Sequence, residues 1–357
     1  MKLPNIESRA LKYGYSNARV RGMKGLLLKP AFLDELIKVR SIDAMVELLQ
    51  RTHYKEELVS LSLKHKGSLL VELAAGIHFA KIVDKIRAFS PRSDRSAVIG
   101  LLKRWDLLNL KTLLNGLRSG KNYDAIKPYL IPVGSLSEHD FERIAKAQDL
   151  LAELKKTDLG RELLSQSTAL FSKQMFSAFN NALRDMDSFM QLQTILDAYI
   201  YLLIDKALGT GDRDIERIKR IMKKEIDAKN IVMIFRLKKY AKAKIKNYLI
   251  RGGSLGDSVI TQLIDAKDIS SAERIIKSKF SAIELQENAS MVDLEIALEK
   301  AIAAEKLAAF HVSVLSIGVM LGFLLLKEEE LNNLRKIAKA KEFGIPEDEV
   351  RKMLVVV

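Results

Sequence analysis

An all-α protein is predicted by three observations on the 357-residue sequence. Punctuating residues are scarce, at 6 Pro and 18 Gly, and an all-β chain of this length needs many more turns. Long stretches are rich in Leu, Ala, Lys, Glu and Ile, which a helix tolerates well. A hydrophobic content of 48% supplies a core and excludes disorder for the bulk of the chain. At roughly 150 residues per domain, the length predicts two to three domains. The chain has no cysteine, which excludes disulfides, cysteine nucleophiles and Cys-ligated zinc or iron–sulfur centres. Its net charge of +14, from 59 basic and 45 acidic residues, favours anionic partners and says nothing of the fold. The opening Met1-Lys2-Leu3-Pro4-Asn5-Ile6-Glu7 lacks the apolar run of a secretory signal, so a cytosolic setting or a cytosolic membrane face is expected.

Short apolar patterns recur along the chain. Leu36-Ile37, Ser41, Ile42, Met45 and Leu49 reappear as Leu263-Ile264, Asp268, Ile269, Ala272 and Ile276, at a constant offset of 227 residues. In both, the apolar positions fall at i, i+3 and i+7, one face of a helix. Ile144, Asp149, Leu150 and Leu154 read as a shortened middle copy. Ser90-Pro91-Arg92-Ser93-Asp94 and the stretch from Leu208 to Arg213 read as loops between helices. Gly116 to Asn122 reads as a loop after a helix. In the middle of the chain, Leu192, Ile195, Tyr199 and Leu202 predict one long amphipathic helix. Ser270-Ser271-Ala272-Glu273 has the form of a capping box and marks a helix start. Leu307 to Leu326 carries no charge over the length of a membrane span. Its His311, Ser313, Ser316, Gly318 and Gly322, and the adjoining Lys327-Glu328-Glu329-Glu330, predict a buried core helix instead.

A motif of the form acid-x-x-Asn occurs three times, each time entering an apolar-periodic run: Asp106 with Asn109, Asp227 with Asn230, and Glu330 with Asn333. Asn109 and Asn333 are each followed at +11 by a glycine, Gly120 and Gly344. Ile126 and Val350 then fall at +6 from those glycines, and Leu130 and Leu354 at +10. Gly134-Ser135-Leu136 matches Gly253-Ser254-Leu255. These coincidences divide the chain into three repeated units, 1–133, 134–252 and 253–357. Their net charges are +12, +6 and −4, which sum to the total of +14. Units alike in pattern and unlike in charge are expected to face different neighbours. On a helix the acid and the Asn share a face, so the pair is expected either to bond an adjacent helix and set its register or to mark a helix entry. A structural use is favoured, because no nucleophile or base accompanies the motif.

Chemistry-bearing patterns are few. The five histidines, His53, His65, His78, His139 and His311, show no metal-ligand spacing. Gly116-Leu117-Arg118-Ser119-Gly120-Lys121-Asn122 fails as a phosphate loop, being one residue short and having Asn122 where a hydroxyl is needed. Carboxylate pairs such as Glu56 and Glu57 read as solvated helix faces. No catalytic residue, cofactor site or metal site is assigned. The strongest basic feature is Arg236, Lys238, Lys239, Lys242, Lys244, Lys246 and Arg251, with Tyr240 and Tyr248. As one helix it would bury Leu237, Ala241, Ile245 and Tyr248 and present cations to phosphates or anionic headgroups.

Several stretches together resemble the C subunit of archaeal and bacterial V/A-type ATP synthases. They are Tyr13-Gly14-Tyr15-Ser16-Asn17-Ala18-Arg19-Val20-Arg21-Gly22-Met23-Lys24-Gly25-Leu26-Leu27-Leu28, then Leu48-Leu49-Gln50-Arg51-Thr52-His53-Tyr54. In the last third they are Asp293 to Glu299, Ser316 to Ile337, and Phe343-Gly344-Ile345-Pro346 followed by Val350. The resemblance implies a non-catalytic coupling protein of a rotary ATPase, counterpart of the d subunit of the eukaryotic V-ATPase. It implies three similar helical domains around a pseudo-threefold axis, forming a funnel. The implied partners are the rotor central-stalk subunits, received in the funnel, and the membrane proteolipid ring. Anionic lipid headgroups near the basic residues are an accompanying expectation. Nucleotides would be handled by other subunits, with no cofactor, small-molecule substrate or nucleic acid bound here. The implied place is the cytoplasmic membrane face, peripheral and without a transmembrane helix. The competing reading is a helical protein that binds nucleic acid or another anionic surface through 236–251.

Overall fold

A computed structural model describes residues 6–165, 181, 185–209, 213–238, 242–281, 283–286, 288–312 and 314–355. Among these residues there are helices and no strands. The first helices are α1 (Ile6–Lys24), α2 (Pro30–Lys38), α3 (Ile42–Leu49), α4 (Lys55–Leu61), α5 (Gly67–Phe89) and α6 (Arg95–Arg118). Next come α7 (Tyr123–Ile126), α8 (Glu138–Lys146), α9 (Leu150–Lys155), α10 (Asp158–Ser165), α11 (Met186–Leu208) and α12 (Arg213–Leu237). The last are α13 (Asp257–Asp265), α14 (Ile269–Lys279), α15 (Met291–Val312), α16 (Ile317–Glu342) and α17 (Glu347–Met353). The chain forms two compact bodies, one from 1–95, 210–221 and 266–357, the other from 96–209 and 222–265.

In the first body α16 is the central element and packs along α5, with α15 and α1 beside it. Ile317 to Leu326 are all buried, as expected of a helix that is apolar all round. The uncharged run 307–326 is core throughout only from Ser316 on, since Ala308, His311, Val312 and Val314 are exposed, and it is not one helix. α15 ends at Val312 and α16 begins at Ile317, where the Ser316 hydroxyl caps it by accepting the Gly318 N–H at 3.1 Å. The same hydroxyl donates to Asp214. A hydroxyl that can bond the first free N–H groups offers the backbone a helix start, and this splits the run. No helix among the described residues is long and apolar enough to cross a membrane.

In the second body α6, α11 and α12 carry the apolar residues. The helix expected around 192–202 is present as α11, with its stripe one step away from the expected one. Leu192, Leu196, Tyr199 and Leu203 are buried, whereas Leu202 is 51% exposed. A polar network lies among these helices. Lys111 Nζ donates to Asp197 at 2.5 Å, Arg104 reaches Glu225 at 3.3 Å, and Tyr201 Oη reaches Glu225 at 3.4 Å.

The short paired helices have a common cause. Ser41, Asp149 and Asp268 occupy corresponding places in the aligned sequence. Each is the N-cap of the second helix of its pair and accepts an N–H, from Ala44, Ala152 and Ser271 respectively. Met45, Leu49, Ala272 and Ile276 are buried, as the i, i+3, i+7 reading requires. The capping box of α14 is formed by Asp268 and Ser271, two residues before the place its sequence signature suggested. Ile269 must already be helical to share a face with Ala272 and Ile276, so the cap falls before it.

Candidate functional site

The three acid-x-x-Asn motifs lie in the interiors of α6, α12 and α16, so none is a helix entry. All six side chains are at most 3% exposed. Nor do they bond a neighbouring helix: each Asn clamps the backbone of a segment returning from further along the chain. Asn109 donates from Nδ2 to the Ile131 carbonyl at 2.7 Å and accepts the Ile131 N–H at 2.9 Å. Asn230 does the same with Ile250, at 2.9 and 2.8 Å. Asn333 repeats it with Val355, at 2.6 and 3.0 Å. An amide side chain holds a donor and an acceptor on one plane, and so satisfies both polar groups of one buried extended residue.

In the first two copies the acid holds the backbone a few residues beyond the clamped one. Asp106 accepts the Ser135 N–H at 2.8 Å, the Ser135 hydroxyl at 2.7 Å and the Leu136 N–H at 2.9 Å. Asp227 accepts the Ser254 and Leu255 N–H groups at 2.9 and 3.1 Å, and the Ser254 hydroxyl. The preceding glycines are required by the closeness of this approach. A Cβ on Gly134 would stand 2.1 Å from Asp106 Oδ1, and one on Gly253 would stand 2.2 Å from Asp227 Oδ1. Burial pushes the Asp106 carboxyl above its ordinary range, and the three donors offset only part of that.

The third acid departs from this pattern. Glu330 accepts the N–H of Leu28, 302 residues away, at 2.6 Å. The residue before Leu28 is Leu27, not glycine, and the acid is longer by one methylene. Its other oxygen takes Tyr54 Oη and Lys327 Nζ, both at 2.5 Å. His53 Nε2 is 3.8 Å from Glu330 Oε1 and 3.3 Å from Lys327 Nζ. The His53, Tyr54 and His78 rings lie 4.5–4.7 Å apart. Glu57 Oε1 is 3.5 Å from His78 Nδ1 and 2.8 Å from Lys81 Nζ. Burial alone would raise the Glu330 pKa, but His53, Lys327 and Tyr54 outweigh it and hold the carboxyl at about 2. Burial, helped by the charges of Lys327 and His53, pushes the His78 imidazole down to about 3. Burial lowers Lys327, and burial with the adjacent Glu330 charge raises Tyr54 well above an ordinary phenol. Tyr54, Lys327 and Glu330 are 2%, 1% and 3% exposed, so the cluster is closed to a substrate and serves as a polar core.

A lysine three residues before each acid extends the motif: Lys103, Lys224 and Lys327. Sequence reasoning missed these lysines among the chain's many cations, although their spacing of one helical turn is visible. Lys327 pairs with its own acid, whereas Lys103 Nζ pairs with Glu162 at 2.5 Å.

The basic segment 236–251 is not a continuous α-helix. α12 ends at Leu237, and Lys242–Tyr248 forms a 3-10 helix. The reason is the second clamp. A continuous helix would carry Ile250 roughly 30 Å from Asn230 at 1.5 Å per residue, whereas the clamp needs them in contact. Ile245 and Tyr248 are buried as expected. Arg236, Lys246 and Arg251 are exposed, and Lys238 Nζ donates to the Leu263 carbonyl at 2.8 Å. Lys239, Tyr240 and Ala241, and the side chains of Lys242 and Lys244, lie outside the described residues. Among the described residues no group of three or more His, Asp or Glu could hold a metal ion.

The model of the ATP synthase (C/AC39) subunit family matches residues 16–353. The C subunit of the A-type ATP synthase of Methanosarcina barkeri is 26% identical over 351 residues, covering 97% of this chain and 93% of the relative. That of Methanosarcina acetivorans is 28% identical over 363 residues, with the same coverages. The C subunit of the V-type ATP synthase of Deinococcus radiodurans is 26% identical over 340 residues, covering 95% of this chain and 90% of the relative. The match takes in all three clamp motifs and the segments Asn109 and Asn230 hold, and it makes the chain a member of the ATP synthase (C/AC39) subunit family.

Proposed function

We propose that the chain is the non-catalytic coupling subunit of a V/A-type rotary ATP synthase, linking the central rotor stalk to the membrane proteolipid ring and transmitting torque between them. Units 1–133, 134–252 and 253–357 are similar domains about a pseudo-threefold axis, and the funnel they form receives the stalk. The protein lies peripherally on the cytoplasmic membrane face, and nucleotide chemistry belongs to other subunits. The observation that carries this reading is the threefold recurrence of the buried Asn clamp. A torque coupling needs stiff, close-packed helices with their connections fixed, and each clamp fastens a returning segment to a long helix through two buried hydrogen bonds. The exposed Arg236, Lys246 and Arg251 would face acidic subunit surfaces or headgroups. The test is a pull-down with tagged chain from detergent-solubilised membranes of its source. Stalk and proteolipid subunits should both be recovered, the ring more weakly as salt rises. Recovery of neither refutes the reading.

A further inference from the structure

Helix α1 has a face that its own body does not use. Tyr13, Ser16, Asn17 and Val20 are buried beneath it, while Leu11 and Tyr15 are 90% and 67% exposed. Ala18, Arg19, Arg21 and Gly22 are exposed as well. With 3.6 residues per turn, Leu11, Tyr15, Ala18 and Gly22 fall in one stripe with Gly14 along its edge. Gly14 and Gly22 stand in open space, since a Cβ on either would meet no atom within 4 Å. Both have ordinary helical backbone, so nothing among the described residues calls for glycine at either position. Gly14, Ala18 and Gly22 are spaced by four, as in helices that let a second backbone approach closely.

The charge on α1 is mostly basic, and Lys12 is already paired with Asp94 at 2.8 Å. α1 carries Arg9, Lys12, Arg19, Arg21 and Lys24 against Glu7. The Arg19 guanidinium lies over the rings of Tyr15 and Phe89, at 6.0 and 5.9 Å from their centroids, and Arg21 lies 5.9 Å from that of Phe310. The attraction of these rings holds the Arg19 guanidinium beside the stripe, where a carboxylate can meet it.

We propose that the outer face of α1 docks an α-helix of a neighbouring subunit, one that lays apolar residues along Leu11, Tyr15, Ala18 and Gly22 and presents Asp or Glu to Arg19. An aromatic and an arginine beside an apolar centre is the composition of an interface hot spot. A bilayer surface is the poorer occupant. Two large apolar side chains on a helix whose opposite face is buried offer little to insert, and lipid gains nothing from the open glycines. The inference rests on the coupling reading only in taking the neighbour from the same complex.

The chain has no cysteine, so single-cysteine variants report cleanly. Leu11→Cys and Ala18→Cys are expected to react with a maleimide readily in the free chain and about tenfold more slowly in the complex isolated from membranes, as for groups buried in an interface. Dispersal of the complex should restore the rate. Gly22→Leu is expected to leave the circular dichroism of the free chain unchanged, to melt no lower than wild type, and to reduce incorporation into the complex severalfold. Equal maleimide rates in complex and free chain, or full incorporation of a folded Gly22→Leu chain, would overturn the proposal. Protection by protein-free anionic vesicles would overturn it in favour of lipid. A wild-type chain that joins neither stalk nor ring fails the coupling reading first, and the neighbour with it.

Discussion

Replacing Asn109 by alanine removes both bonds of the first clamp: the Ile131 N–H loses its acceptor, and the Ile131 carbonyl keeps only the Val133 N–H, at 2.8 Å. Asn109 and Ile131 are 2% and 5% exposed, so water cannot readily take its place. A buried backbone group left unsatisfied costs about 1–3 kcal/mol, so the orphaned N–H together with the lost carbonyl bond costs about 2 kcal/mol in all. The effect is read as a fall in the urea midpoint of the purified chain, followed by fluorescence of Trp105, the one tryptophan, on the same helix. Asn109→Asp sharpens the test. One carboxylate oxygen can still accept the Ile131 N–H, but the other faces the Ile131 carbonyl, 2.7 Å from the present donor. At neutral pH this variant should be at least as unstable as the alanine. In acid it should recover, because a protonated carboxyl can donate. An alanine variant within about 0.5 kcal/mol of wild type, the ordinary range of surface substitutions, would refute the clamp as a stabilising device. So would an aspartate variant as stable as wild type at neutral pH.

Glycines give a paired prediction with opposite signs. Gly134→Ala drives a methyl against the Asp106 carboxylate and should cost about 2–4 kcal/mol through the lost bonds, whereas Gly22→Ala, in open space on α1, should stabilise by about 0.5–1 kcal/mol in thermal melts; equal effects would contradict both geometries. Ser316→Ala loses the α16 cap and the bond to Asp214, for about 1–2 kcal/mol, and the melting temperature should fall accordingly. Stability should decline in acid. The folded His78 pKa is depressed to about 3, so the unfolded chain binds the extra proton from its usual 6.5 downward. Glu330, held at about 2, adds a loss of the same sign below its ordinary 4.5. Urea midpoints should fall between pH 7 and pH 5, and His78→Leu should flatten that part of the curve; a flat wild-type profile would contradict the buried neutral imidazole.

Local signals in the sequence carried well. Apolar spacing at Ile42, Met45 and Leu49 and at Ile269, Ala272 and Ile276 located α3 and α14, because helical burial is a property of neighbours within two turns. The correspondence of Ser41, Asp149 and Asp268 was visible, and its meaning as a cap was not, since a cap depends on where the preceding helix stops. Leu202 was placed on the buried stripe and is exposed, because α11 meets other helices from a direction that spacing does not encode. The uncharged run 307–326 and the basic run 236–251 each looked like one helix. Each is broken by a bond that composition does not display, the Ser316 cap and the Asn230 clamp.

By itself, then, the sequence determined an all-helical chain and the positions of its three acid-x-x-Asn motifs, and left open whether they enter helices or lie within them. Only the tertiary structure decided what those six side chains hold. Their partners lie 20 to 30 residues downstream in the first two copies, and for Glu330 the partner is Leu28, 302 residues back. Periodicity describes which side of a helix faces inward. It cannot say which returning backbone arrives there, because that depends on where the whole chain can bury its unpaired N–H and carbonyl groups. The open stripe on α1 is the converse case, a face whose residues were plain in the sequence and whose exposure appeared only once the rest of its body had packed without it.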